Sequence, residues 1–357
     1  MAHDLTPPDP AGILDLIEAF RRSKTMFAAV SLGVFDALAA GPQSLSNLAP
    51  QLGANPDALE RLLDACVGLQ LLAKGAHHYE NTPAATAYLT ATSPQRLTGY
   101  VNYSNTVLWK LWAHLEDAVR EGSHRWQQVY GWDGPIFAHF FNTEESKREF
   151  LMGMHGLGMM SSPHVAGAFD LSRFRRVVDL GGATGHLALA ACQRWPELKG
   201  VVFDLAAAVP LAREIVGASD VADRVEVVAG DFFTDPLPEA DLYALGRILH
   251  DWSDDKIVTL LSKVYEALPP GGALLIAEKL LLDDKTGPRS AQMQSLNMLC
   301  CTEGKERTLA EYETLLLTAG FAHVIGRRTN APLDAVLAVK GTESQARPVT
   351  PNGAVSH

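Results

Sequence analysis

Val177-Val178-Asp179-Leu180-Gly181-Gly182-Ala183-Thr184-Gly185 is the stretch whose reading decides the fold. A short apolar run ends in an acid and a glycine-rich turn, and His186-Leu187-Ala188 then opens a helix-compatible segment. Small residues in such a strand-to-helix turn let a ligand approach backbone N–H groups at the helix N-terminus. A second apolar run, Gly200-Val201-Val202-Phe203, closes on Asp204. An acid at the tip of the second strand is placed to accept hydrogen bonds from a ribose. Together the turn and the acid point to a nucleoside cofactor. The glycines do not complete the dinucleotide fingerprint G-x-G-x-x-G, because neither Gly181 nor Gly182 starts a full match.

The whole chain bounds what such a site can serve. Its 357 residues are enough for two cores. A composition of 47% hydrophobic and 20% charged residues is that of an ordinary globular protein. The net charge of −11 argues against a nucleic-acid partner, which needs a basic face. No apolar run approaches the ~20 residues of a membrane span, and Met1-Ala2-His3-Asp4-Leu5 lacks the basic start of a secretory signal. Cys66, Cys192, Cys300 and Cys301 show no C-x-x-C spacing. The expectation is a cytoplasmic protein with reduced thiols and no membrane contact. No H-x-x-x-H or Cys/His cluster supports a metal, and there is neither a P-loop nor a G-x-S-x-G elbow.

Along the chain, residues 11–95 read as helices followed by a small ribbon. Ile13, Leu14, Ile17 and Phe20, then Met26, Phe27 and Val30, supply apolar faces up to a break at Gly41-Pro42. Ser44 and Asn55-Pro56 open two further helices, and a turn at Lys74–Tyr79 suggests a wing. This order predicts a winged-helix module. Its only Lys and Arg between Pro42 and Thr90 are Arg61 and Lys74, against Asp57, Glu60, Asp64 and Glu80, which favours dimerisation over reading DNA. Residues 96–168 are expected to form a helical, aromatic-rich linker, with Trp109, Trp112, Trp126, Tyr130 and Phe141 among its rings. From Arg176 to residue 340 strands and helices alternate, which predicts a mostly parallel sheet wrapped by helices in a domain spanning 169–340. The last two strands can pair antiparallel at the edge. Residues 341–357 are expected to be a disordered tail.

In open α/β sheets ligands bind beyond the carboxyl ends of the strands, so each strand end nominates site residues. The ends are Asp179–Gly185, Asp204, Gly230-Asp231-Phe232, Arg247–Trp252 and Glu278. Asp231 with Phe232 suits adenine, a carboxylate for the exocyclic amine and a ring for stacking. Arg247 needs a partner if it is buried. His250 is the expected general base, since an ordinary imidazole titrates near ~6.5. Glu278, on the neighbouring strand end, or Glu306, ahead of the capping box Thr308-x-x-Glu311, could orient it.

The turn fits D-x-G-x-G-x-G with Ala183 at the middle glycine, the pattern of S-adenosylmethionine-dependent methyltransferases. With Phe203-Asp204, Gly230-Asp231-Phe232-Phe233, Leu249-His250-Asp251-Trp252-Ser253-Asp254, Pro269-Pro270-Gly271-Gly272 and Gly304-Lys305-Glu306-Arg307-Thr308, the chain resembles the metal-independent small-molecule O-methyltransferases. That family includes the plant caffeic acid and animal acetylserotonin enzymes. The resemblance covers roughly residues 12–340 and is closest to the acetylserotonin branch through 235–243 and 295–299. It implies a class I Rossmann-like sheet with an N-terminal dimerisation domain, a homodimer, and S-adenosylmethionine as cofactor. It further implies His250, Glu278 and Glu306 as catalytic residues. Phe141, Asp179, Gly181, Gly185, Asp204, Leu205, Gly230, Asp231, Phe232 and Arg247 match cofactor positions. Asp251, Asn297 and Cys301 match substrate positions, where Cys301 replaces a glutamine that helps the animal enzyme hold an N-acetyl side chain. Ala183 replaces the middle glycine, a methyl that is tolerable if the backbone there keeps φ negative. Two alternatives stand beside this reading: a winged-helix DNA-binding regulator with a vestigial cofactor site, and an NAD-dependent Rossmann dehydrogenase.

Overall fold

The structure, a computed structural model, describes residues 8–134 and 143–341. Phe141, expected over the cofactor, and residues 342–357, expected as a tail, lie outside the described residues. The chain divides into two compact units between Trp109 and Lys110. No helix among the described residues is long and apolar enough to cross a membrane.

The first unit begins with the helix Ala11–Ser31 and a short turn, Val34–Ala37. Ser44 and Asn55 start the helices Leu45–Gln51 and Pro56–Gly68 by accepting the N–H groups of Asn47 and Ala58. Leu59, Leu63 and Cys66 bury one face of the latter and join Ala29, Val34, Phe35 and Leu48 in this unit's core. β1 (Leu72–Lys74) and β2 (Tyr79–Asn81) pair antiparallel, with Leu72 opposite Asn81 and Lys74 opposite Tyr79. This is the winged arrangement that the sequence predicts. Ile13, Leu14, Leu16, Ile17 and Phe20 on the first helix are all more than half exposed.

The second unit is built on a seven-stranded sheet in the order β5-β4-β3-β6-β7-β9-β8. Its strands are β3 (Arg176–Leu180), β4 (Lys199–Asp204), β5 (Val225–Ala229), β6 (Leu242–Gly246), β7 (Ala273–Glu278), β8 (His323–Arg327) and β9 (Asp334–Val339). The five strands from β5 to β7 are parallel neighbours. β8 and β9 pair antiparallel as expected, but β9 inserts beside β7, leaving β8 as the edge. The central strands are apolar on both faces, as a covered parallel sheet requires. Val177, Val202, Ala244 and Leu275 pack toward the helix His186–Arg194. Their neighbours Val178, Val201, Tyr243, Leu245, Leu274 and Ile276 pack toward Asp254–Ala267 and Leu309–Thr318. β6 ends at Gly246, so Arg247 stands just past the strand rather than on it.

Candidate active site

The strand order reverses between β3 and β6, since β3 leads to β4 on one side and β6 to β7 on the other. A crevice therefore opens beyond their carboxyl ends. Gly181 lies in the left-handed region at φ 69°, and a Cβ there would sit 2.5 Å from Ile248 Cδ1 and 3.2 Å from the Phe232 ring. Only glycine lets the turn pass under the residues that follow β5 and β6. Ala183 does not meet the condition of a negative φ: its φ is +49°, so its methyl is carried in a conformation that costs an L-residue about 1–2 kcal/mol. Bonds on either side hold it there. Its N–H donates to Asp204 Oδ2 at 2.7 Å, and Thr184 Oγ1 pairs with His155 Nδ1 at 2.8 Å.

The acids at the strand tips have distinct surroundings. Asp179 is buried beneath the turn, where Oδ2 accepts the Ala188 N–H at 3.3 Å, and burial pushes it up to about 7. It braces the turn from below. Asp204, half-buried, accepts Ala183 and Leu205 N–H groups, one on each oxygen, and burial pushes it up to about 6. A carboxylate has about four acceptor sites, so two remain for a diol. Gly230 follows β5 and donates to Asp204 O at 2.9 Å, and Asp231 uses Oδ1 to accept the Phe233 N–H. The Phe232 and Phe233 rings meet at a tilt of 57° with 4.9 Å between centroids, and Phe233 meets Trp252 edge-on. Arg247 has a positive φ of 59° and makes no side-chain hydrogen bond or ion pair among the described residues. Its cation stands near Asp251, Glu278 and Glu306.

His250 lies on a single 3-10 turn, Leu249–Asp251, directly after β6. Glu306 Oε1 is 2.7 Å from its Nδ1. Glu278, the last residue of β7, uses Oε1 to accept the N–H groups of Ile248 at 3.0 Å and Leu249 at 2.9 Å, while its Oε2 is 3.3 Å from Nδ1. Both glutamates therefore surround Nδ1, but with different tasks: Glu278 holds the turn, and Glu306 holds the ring. When Glu306 is ionised it only accepts, which puts the ring proton on Nδ1 and leaves Nε2 with its lone pair. The Asp251 carboxylate lies 3.7 Å from Nε2. Burial pushes Glu306 and Asp251 each up to about 7 and raises Glu278 as well.

Around this centre, Trp112 Nε1 donates to Asn297 Oδ1 at 2.7 Å, and the Cys301 thiol approaches the same oxygen at 3.6 Å. Burial keeps Cys301 protonated. Trp126 and Arg125 donate to the carbonyls of Cys301 and Cys300, which ends the helix Arg289–Cys301 in a fixed place.

The structure brings the strand-tip residues and the His250 group to the carboxyl edge of one sheet. Sequence reasoning missed the residues that brace them. Arg307, fully buried, bonds Asp254 and the carbonyls of Leu249, Trp252 and Lys305. Lys263 holds the turn after β5 through the carbonyls of Phe232, Phe233 and Asp235. Glu303 accepts the Ser253 N–H at 3.1 Å, just ahead of the helix Asp254–Ala267. Gly304 passes so close to the His250 carbonyl that any side chain would collide with it.

The chain matches two family models, an O-methyltransferase dimerisation domain over residues 14–91 and an O-methyltransferase domain over 112–322. It is 42% identical over 339 residues to acetylserotonin O-methyltransferase of Gallus gallus, covering 93% of this chain and 97% of that one. It is 41% identical over 337 residues to a probable bifunctional dTTP/UTP pyrophosphatase/methyltransferase protein of Homo sapiens; this covers 94% of the chain but only 54% of that longer relative. The crystal structure of human N-acetylserotonin methyltransferase in complex with SAM superposes with a TM-score of 0.88 at 39% identity, covering 94% of this chain and 99% of that one.

Proposed function

This chain belongs to the family of O-methyltransferases that carry a dimerisation domain, and from that premise we propose that it methylates a hydroxyl of a small aromatic acceptor, with His250 as general base. It is an S-adenosylmethionine-dependent enzyme of a metal-independent family. Phenols, hydroxyindoles and polyketide-like phenols are the acceptor classes in view.

The residues present fit the cofactor. Asp204 has two acceptor sites left for the ribose hydroxyls, Asp231 and Phe232 stand at the adenine end, and Arg247 offers a cation for a carboxylate. When bound, S-adenosylmethionine supplies a methyl already activated on its sulfonium. What remains for the protein is alignment of the hydroxyl and removal of its proton. The carrying observation is the 2.7 Å contact of Nδ1 with Glu306, which commits one ring nitrogen and leaves Nε2 to accept the proton. Glu306, ionised, then stabilises the imidazolium, while Glu278 keeps the His250 turn in register. A positioned base is typically worth about 10²–10⁴-fold. Asp251, Asn297 and Cys301 line the acceptor side in this reading.

The rival readings lose their footing in the same observations. Arg61 and Lys74, the only Lys or Arg of the winged segment 42–90, are engaged by Asp57 and Asp64 at 2.6 Å, so neither is spare for phosphate. A dehydrogenase would require the pyrophosphate fingerprint that the turn lacks. In the same proposal the enzyme is a homodimer and works in the cytoplasm. Calorimetry with S-adenosylhomocysteine and NAD, beside product mass spectrometry over phenols, hydroxyindoles and naphthols, tests the reading. S-adenosylhomocysteine binding with O-methylation of at least one panel member is expected. Tight NAD binding with no response to S-adenosylhomocysteine would overturn it.

A further inference from the structure

The helix Glu144–Ala166 lies along the glycine-rich turn and the helix His186–Arg194 that the turn opens. Leu151, His155, Gly158 and Ser162 recur at i, i+4, i+7 and i+11, so they share one face of it. That face follows the turn residue by residue. Ala183 packs against the cluster of Leu151, Ala208 and Leu211. His155 Nδ1 is 2.8 Å from Thr184 Oγ1, and Ser162 Oγ is 2.8 Å from His186 Nδ1. A Cβ at Gly158 would stand 2.3 Å from the His186 ring, so a glycine there lets the two helices approach this closely.

Thr184 is fully buried, and a buried hydroxyl needs a partner. His155 supplies it from outside the turn. The bond falls directly beside Ala183, whose φ of +49° an L-residue avoids by about five- to thirtyfold. Glycine takes such a φ freely. A turn with alanine at this position therefore depends on its neighbours in a way that a turn with glycine would not. We propose that His155 is a positioning residue for the cofactor: by fixing Thr184 it holds Ala183 in the left-handed conformation and keeps the Ala183 N–H on Asp204 Oδ2. When Ala183 relaxes, that N–H leaves Asp204 and the turn loses its binding shape. The fraction of enzyme that keeps the shape sets the apparent affinity for the cofactor. The helix face that carries His155 thus makes up for the glycine missing at 183.

This inference rests on Asp204 as the ribose acceptor, and the test separates the two. Thr184→Val removes only the hydroxyl and Thr184→Ser keeps it; each is made in wild type and in Ala183→Gly. Affinity for S-adenosylhomocysteine is read by calorimetry, and hydrogen exchange of the residue-183 amide is read by NMR on the cofactor-free enzyme. Thr184→Val should weaken S-adenosylhomocysteine about three- to tenfold and speed exchange of that amide by a similar factor. The KM for S-adenosylmethionine should rise in step, while kcat stays within about twofold. Thr184→Ser should stay close to wild type in both readings. In the Ala183→Gly background the added Thr184→Val change should cost less than about twofold. Should Thr184→Val fail to fold, His155→Phe, which keeps a ring and removes the nitrogen, goes through the same cycle. Unmoved affinity and amide exchange, or an equal loss in the Ala183→Gly background, would overturn the proposal. If wild type itself does not bind S-adenosylhomocysteine, the cofactor reading falls, while exchange of the residue-183 amide still decides the role of His155.

Discussion

Asp204 carries two demands that pull against each other. In the proposed cofactor site it must stay ionised to accept a ribose, yet burial pushes it up to about 6. Two backbone N–H groups, from Ala183 and Leu205, hold it in the useful form. Protonation removes the charge, so affinity for S-adenosylhomocysteine should fall as pH drops through that value. One linked proton gives about a tenfold loss per pH unit below about pH 6 and a flat response above it. Calorimetry from pH 4.5 to 8 reads this directly; a flat profile would mean another group holds the ribose. The identity of this residue is legible in the sequence, because it closes an apolar run one strand after the glycine turn. The sign of φ at Ala183 is not, since it depends on how Asp204 and Thr184 are bonded across the turn. The division of labour between Glu278 and Glu306 is equally illegible: both lie near Nδ1, and only the bonds from Ile248 and Leu249 to Glu278 separate their roles.

At the scale of elements, the strands and helices of the second unit follow the apolar runs closely, because a covered parallel sheet writes itself as uninterrupted Val, Leu and Ile. The capping box at Thr308 is also local, and both of its reciprocal bonds form. Thr308→Ala should cost about 1 kcal/mol of stability, read from urea unfolding; no loss would mean that tertiary packing alone fixes that helix. The placement of β9 between β7 and β8 was not legible, since sequence order suggests only that the two strands pair. Arg307, Lys263 and the Trp112–Asn297 contact were invisible for a different reason. Each joins segments tens to nearly two hundred residues apart, and no local pattern marks a long-range partner.

For the whole molecule, the first helix poses the main question. Ile13, Leu14, Leu16, Ile17 and Phe20 stay more than half exposed in a single chain, an apolar face that a monomer rarely leaves to water. The match of residues 14–91 to a dimerisation domain gives that face a purpose. Sedimentation at micromolar concentration should show a dimer, and Ile17→Asp should weaken it; a wild-type monomer would remove this explanation. In the proposed reading the strand tips of β3, β4 and β5 supply the cofactor groups, and the ends of β6 and β7 with the loop before Thr308 supply the base. Binding and proton removal should therefore be separable. The measurement that tests this most directly is single-turnover methyl transfer by wild type and His250→Ala, each preloaded with S-adenosylmethionine, from pH 6 to pH 10. The variant should bind S-adenosylhomocysteine within a few-fold of wild type yet transfer about 10²–10⁴ times more slowly at neutral pH. The gap should narrow toward the ordinary phenol pKa of about 10, where solvent supplies the phenolate. Near-full turnover by His250→Ala at neutral pH would contradict the account.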